Sequence, residues 1–199
     1  MNCTNKLCSL QYTCQHPCIM GVGDPHADLI LIGEAPGMNE DMRGRPFVGE
    51  AGKLLNHILY KLGLDRESIY LTNVIKCRPP RNTLPKREEL STIWEACWPL
   101  LEQELQEVDP KVVVLMGATA LNLVSGVFAP RLTKMESMEI DTVYEGAKTI
   151  VAFHPAYVLR SPSKEANLGR ALFKAARIAG LKPKPKGLEA GLYEYEIRS

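Results

Sequence analysis

The sequence predicts a three-layer α/β/α fold around a central, mostly parallel four-stranded sheet, and three observations carry that prediction. Short apolar runs of strand length recur along the chain. Stretches with apolar residues at helical spacing separate them, which is the order that parallel strands joined by crossover helices require. Glycine or proline breaks the chain sharply after the first run and after the fourth.

The first strand is read over residues 27–32 (Ala-Asp-Leu-Ile-Leu-Ile), ended by Gly33-Glu34-Ala35-Pro36-Gly37. A loop rich in charge and glycine follows. From Gly52 to Leu62 the apolar residues Leu54, Leu55, Ile58, Leu59 and Leu62 share one helical face, and Gly63 supplies a C-terminal cap. Residues 69–75 form the second strand. Between Arg78 and Pro85 three prolines prevent either regular structure from continuing, so this stretch is a loop. A long helix is expected over 86–108, a third strand over 111–116, a short helix over 118–124 and a fourth strand over 148–153. Residues 130–146 show weak periodicity and suggest no more than an edge strand. A last helix spans 163–179. The Lys-Pro-Lys-Pro-Lys run beyond Leu181 reads as the start of a flexible tail, giving a domain over 1–180 and a tail over 181–199.

With 199 residues and 45% hydrophobic residues, the chain can bury one substantial core. No run approaches the roughly 18 apolar residues of a membrane span. The first twenty residues hold cysteines where a secretory signal would be apolar, so a cytoplasmic location (nuclear in a eukaryote) is expected. In that compartment Cys3, Cys8, Cys14 and Cys18 fit metal or iron–sulfur ligation better than disulfides. The net charge of +1 excludes a uniformly basic surface, and nucleic-acid contact would rest on local patches. Residues 160–186 carry eight Lys or Arg against one acid, Glu165.

Parallel sheets bind ligands at the carboxyl ends of their strands. The unusual residues gather there: Gly33 to Gly37, then Asn73 and Cys77, then His154-Pro155. Four motifs stand in order: residues 33–41 (Gly-Glu-Ala-Pro-Gly through Glu40-Asp41), 44–49 (Gly-Arg-Pro-Phe-Val-Gly), 72–80 (Thr-Asn-Val-Ile-Lys-Cys-Arg-Pro-Pro) and 154–160 (His-Pro-Ala-Tyr-Val-Leu-Arg). Together they resemble the family 4, iron–sulfur uracil-DNA glycosylases over most of the chain.

That resemblance implies a DNA-repair hydrolase that flips uracil out of single- or double-stranded DNA and hydrolyses its N-glycosidic bond, leaving an abasic site. Positive charge develops on the sugar and negative charge on the leaving base, so such a site needs groups that stabilise both and place a water. His154 resembles the family histidine that hydrogen-bonds uracil O2. The Asn73 amide, with one donor and one acceptor group, suits the O4/N3–H edge of uracil and disfavours cytosine. Phe47 resembles the residue that stacks on the flipped base. Glu40 is favoured for placing the water, with Glu34 as a second carboxylate and the backbone groups of Glu34 to Gly37 sharing that positioning, and Ala35, Pro36 and Gly37 are expected to contact the substrate. Val158, Leu159 and Arg160 resemble the segment that fills the gap in the duplex.

The resemblance also implies a [4Fe–4S] cluster on Cys3, Cys8, Cys77 and Cys97, with Cys14 or Cys18 as alternative ligands and structural zinc as the alternative metal, since both accept four thiolates. A monomer is expected, with no membrane partner. Competing readings are a relative acting on hypoxanthine or a modified pyrimidine, and a non-catalytic iron–sulfur DNA-binding module.

Overall fold

Five strands make one sheet in the order β2-β1-β3-β5-β4 in the computed structural model, which describes residues 8–126, 137–140 and 144–186. The strands are β1 (Leu29–Gly33), β2 (Tyr70–Asn73), β3 (Val112–Met116), β4 (Glu139–Ile140) and β5 (Lys148–Ala152). The first three and β5 are mutually parallel, as their apolar runs predict. The two-residue β4 adds an antiparallel edge.

The helices are α1 (Met38–Arg43), α2 (Glu50–Leu62), α3 (Arg87–Val108), α4 (Ala118–Ser125), α5 (Pro155–Arg160) and α6 (Glu165–Ile178). Both faces of the sheet are buried, because alternate residues of each strand enter different cores. Leu29, Leu31, Val112, Val114 and Ile150 meet α2, α5 and α6, while Ile30, Ile32, Val113, Leu115 and Val151 meet α3 and α4. This two-sided burial explains why the strands read as continuous apolar runs and not as alternating ones.

Two short helices, α1 and α5, were not anticipated from periodicity. The stretch expected as a tail also begins differently. Leu181 packs on the core, the Lys186 backbone N–H donates to the Lys61 carbonyl at 2.8 Å, and the Lys186 ammonium lies 3.8 Å from the centre of the Tyr60 ring. Residues up to 186 are therefore docked on the end of α2.

A buried polar network joins β2, α3 and the N-terminal arm. Glu104 on α3 and Lys76, three residues beyond β2, form an ion pair with both side chains essentially out of solvent. Lys76 Nζ donates to Thr72 Oγ1 at 2.7 Å, and Thr72 donates to Glu104 at 2.8 Å. The same carboxylate accepts the backbone N–H of Gly21. Removing one buried charge leaves its partner uncompensated, so Glu104→Leu is expected to cost about 3–5 kcal/mol in denaturant unfolding. The double change Glu104→Leu with Lys76→Met should recover much of that loss.

Candidate active site

The carboxyl ends of β1, β2 and β5 open on a cavity of about 840 Å³. Its lining includes Glu34, Ala35, Pro36, Gly37, Glu40, Phe47, Asn73, His154 and Arg160 from the residues the sequence points to, whereas Val158 and Leu159 of the insertion segment do not line it. Thr119, Asn82 and Tyr157 also line it and were not selected.

His154 stands at the N-cap of α5, followed by Pro155 at the first helical position. Its Nδ1 accepts the backbone N–H of Ala156 at 3.1 Å. An accepting Nδ1 in a neutral imidazole leaves the proton on Nε2. That Nε2 is buried and has no hydrogen-bond partner among the described residues. Burial, assisted by the charge of Arg160, lowers the imidazole pKa to about 4. His154 therefore presents a neutral N–H donor to the cavity.

Asn73 ends β2 and is almost wholly buried. The Phe47 ring lies 6.1 Å from the His154 ring with 31° between their planes. Phe47 holds a left-handed backbone, φ +53°, an uncommon conformation for a bulky residue and one that needs support from its surroundings.

Glu40 supplies that support. One carboxylate oxygen accepts the N–H groups of Val48 at 2.9 Å and Gly49 at 2.7 Å, and the other accepts Gly37 N–H at 3.1 Å. The carboxylate thus ties the turn after β1 to the loop that carries Phe47. Gly52 completes the seat: a Cβ there would fall 1.9 Å from the Phe47 carbonyl oxygen, so α2 can approach the loop only with glycine at this position. Among the described residues Glu34 makes a single side-chain bond, accepting from Thr119 Oγ1 at 2.6 Å, which uses little of its acceptor capacity. Asp41 points the other way. It accepts the His16 backbone N–H at 2.8 Å and lies 3.8 Å from Arg78, fixing the arm and not the cavity.

Replacing Glu40 with Gln would set an amide against backbone donors that need acceptors. The expected result is a roughly 10²-fold fall in kcat/KM, with KM raised because Phe47 is displaced, read from steady-state kinetics.

The insertion segment is helical. In α5 Val158 is buried in the core, whereas Leu159 and Tyr157 are exposed and Arg160 reaches the cavity. Of the segment's residues, Leu159 and Arg160 face outward.

Five cysteines, Cys8, Cys14, Cys18, Cys77 and Cys97, lie in or against the core on the α3–α4 face of the sheet, none of them in a disulfide among the described residues, and Cys3 lies outside the described residues. The Cys18 backbone N–H donates to Cys77 Sγ at 3.3 Å. Hydrogen bonds from Cys18 and Cys14 lower the Cys77 thiol to about 6, while burial raises Cys14 and Cys97 to about 12. Among the described residues no three His, Cys, Asp or Glu side chains are placed to hold a single metal ion. A multi-iron cluster does not require its thiolates to converge on one point, and an all-cysteine donor set suits it. The residues fit such a group. Among the described residues no helix is long and apolar enough to cross a membrane.

Comparison with known proteins agrees with this geometry. Residues 20–179 match the model of the uracil DNA glycosylase superfamily. The chain is 40% identical over 149 residues to a type-4 uracil-DNA glycosylase of Archaeoglobus fulgidus, covering 72% of this chain and 73% of that protein. It is 41% identical over 147 residues to a type-4 enzyme of Thermotoga maritima, covering 74% of each. Against a type-4 enzyme of Sulfurisphaera tokodaii it is 37% identical over 175 residues, covering 83% of this chain and 76% of that one.

Proposed function

This chain belongs to the uracil-DNA glycosylase superfamily, and from that premise we propose that it removes uracil from DNA by hydrolysing the N-glycosidic bond. The observation that carries the proposal is the neutral His154 Nε2–H, buried without a hydrogen-bond partner among the described residues at the wall of a cavity shared with Asn73 and Phe47.

Flipping a base costs a few kcal/mol of lost stacking. Stacking on Phe47 returns roughly 1–3 kcal/mol. The Asn73 amide reads the O4/N3–H edge, where cytosine offers an amino group that leaves the amide mismatched. As the bond to the sugar breaks, charge accumulates on uracil O2, and the His154 Nε2–H donates to it without giving up its proton. Water placement falls to Glu34, whose carboxylate is held by Thr119 in a bond that uses little of its acceptor capacity. Glu40 holds the loop, so its part in catalysis is positional. Arg160 and Leu159 on α5 face the DNA beside the vacated stack, and the basic residues that follow them favour the phosphate backbone.

The concentration of thiols and the family resemblance support a [4Fe–4S] cluster held by cysteines. Hydrolysis transfers no electrons, so the cluster's contribution would be to fix the arm and the loop after Cys77 near DNA.

The test is incubation with labelled oligonucleotides containing uracil, hypoxanthine or thymine at one position, followed by alkali. Incision confined to the uracil strand supports the proposal; efficient incision only at another base overturns it.

A further inference from the structure

This chain has four residues between Cys3 and Cys8. It also carries the additional pair Cys14 and Cys18, with three residues between them. The structure gives that pair a definite place. His16, between them, is bonded through its backbone N–H and its Nδ1 to Asp41. Just past them, Ile19 N–H donates to the Lys76 carbonyl at 2.8 Å, and Val22 bridges to Leu71 of β2. Protein contacts therefore anchor the stretch carrying Cys14 and Cys18 beside Cys77. Cys18 donates its backbone N–H to Cys77 Sγ, and Cys14 packs into the same thiol-lined core as Cys8 and Cys97.

We propose that one cysteine of the Cys14–Cys18 pair, in place of Cys3, completes a four-thiolate ligand set with Cys8, Cys77 and Cys97. Three of the four thiolates then come from Cys8, Cys77 and Cys97, and one of the pair supplies the fourth. This assignment rests on the iron–sulfur reading above. It places the fourth ligand in the segment held to Asp41 through His16, so cluster assembly and α1 share a support.

The experiment is iron and acid-labile sulfide content, with absorbance near 400 nm, of anaerobically purified full-length protein. Cys3→Ser is expected to match wild type in both. The double change Cys14→Ser with Cys18→Ser is expected to lose most iron and the absorbance while keeping its far-ultraviolet circular dichroism, and whichever single change reproduces the loss identifies the ligand. Loss of iron in Cys3→Ser to the level of Cys77→Ser, or wild-type iron in the double variant, overturns the assignment. Wild-type protein without iron and sulfide would instead overturn the cluster itself.

Discussion

Replacing His154 with Asn is expected to lower the single-turnover rate of uracil release by about 10²–10³-fold, the usual cost of removing one donor aimed at developing negative charge. Asparagine is the informative choice because His154 has two tasks. Its Nδ1 caps α5 through Ala156 N–H, and an Asn side chain at an N-cap accepts the same kind of bond. Its Nε2–H serves the cavity, and the shorter Asn cannot reach as far. Stability should therefore hold while the rate falls.

The same imidazole fixes a pH dependence. Its folded pKa, about 4, lies below the ordinary value of 6.5. The neutral form persists through that ordinary value, so with His154 acting as proposed the rate should show no histidine step between about pH 5 and 8. Folding stability behaves differently. Above the unfolded pKa both states hold neutral His154 and the contribution is constant. As pH falls from 6.5 toward 4 the unfolded chain takes a proton that the folded chain refuses, and stability declines across that window. Thermal unfolding as a function of pH, compared with the Asn variant, isolates this contribution.

Gly33→Ala is expected to abolish most activity, by at least about 10²-fold, while leaving a folded protein. A Cβ at Gly33 would stand 2.6 Å from Asn73 Oδ1, 2.6 Å from Phe47 Cζ and 3.2 Å from His154 Nε2. Glycine here leaves room for the three base-facing side chains to meet over the end of β1. The obstacles are side-chain tips, which can move, so the fold survives at an overpacking cost of roughly 1–3 kcal/mol. Moving them displaces the groups that stack, read and polarise the base. Single-turnover kinetics together with circular dichroism would separate this outcome from unfolding.

The cavity was legible in the sequence because a parallel sheet concentrates function at its carboxyl ends, and Glu34, Asn73 and His154 fall there by strand length alone. Helices α1 and α5 were not, because six residues are too few to display a period. Their start signals were nevertheless present: Glu40 three residues after Gly37 returns to its backbone N–H, and Pro155 follows a capping His154. Thr119 was invisible because only the tertiary fold brings α4 to Glu34, 85 positions away in sequence. The backbone contacts of Glu40 escape the sequence for a related reason. A carboxylate in a glycine-rich loop reads as available for chemistry until its three backbone donors are seen. The docking of residues 181–186 depends on the exposed end of α2 and on Tyr60, partners that local composition does not reveal.

The most direct test of the account is mass-spectrometric detection of the base released from a DNA strand carrying a single uracil. The account predicts one free uracil per abasic site formed, with release slowed about 10²–10³-fold in His154→Asn and absent from a cytosine strand. Failure of iron-loaded wild-type protein to release uracil, or an undiminished rate in the His154 variant, would contradict it.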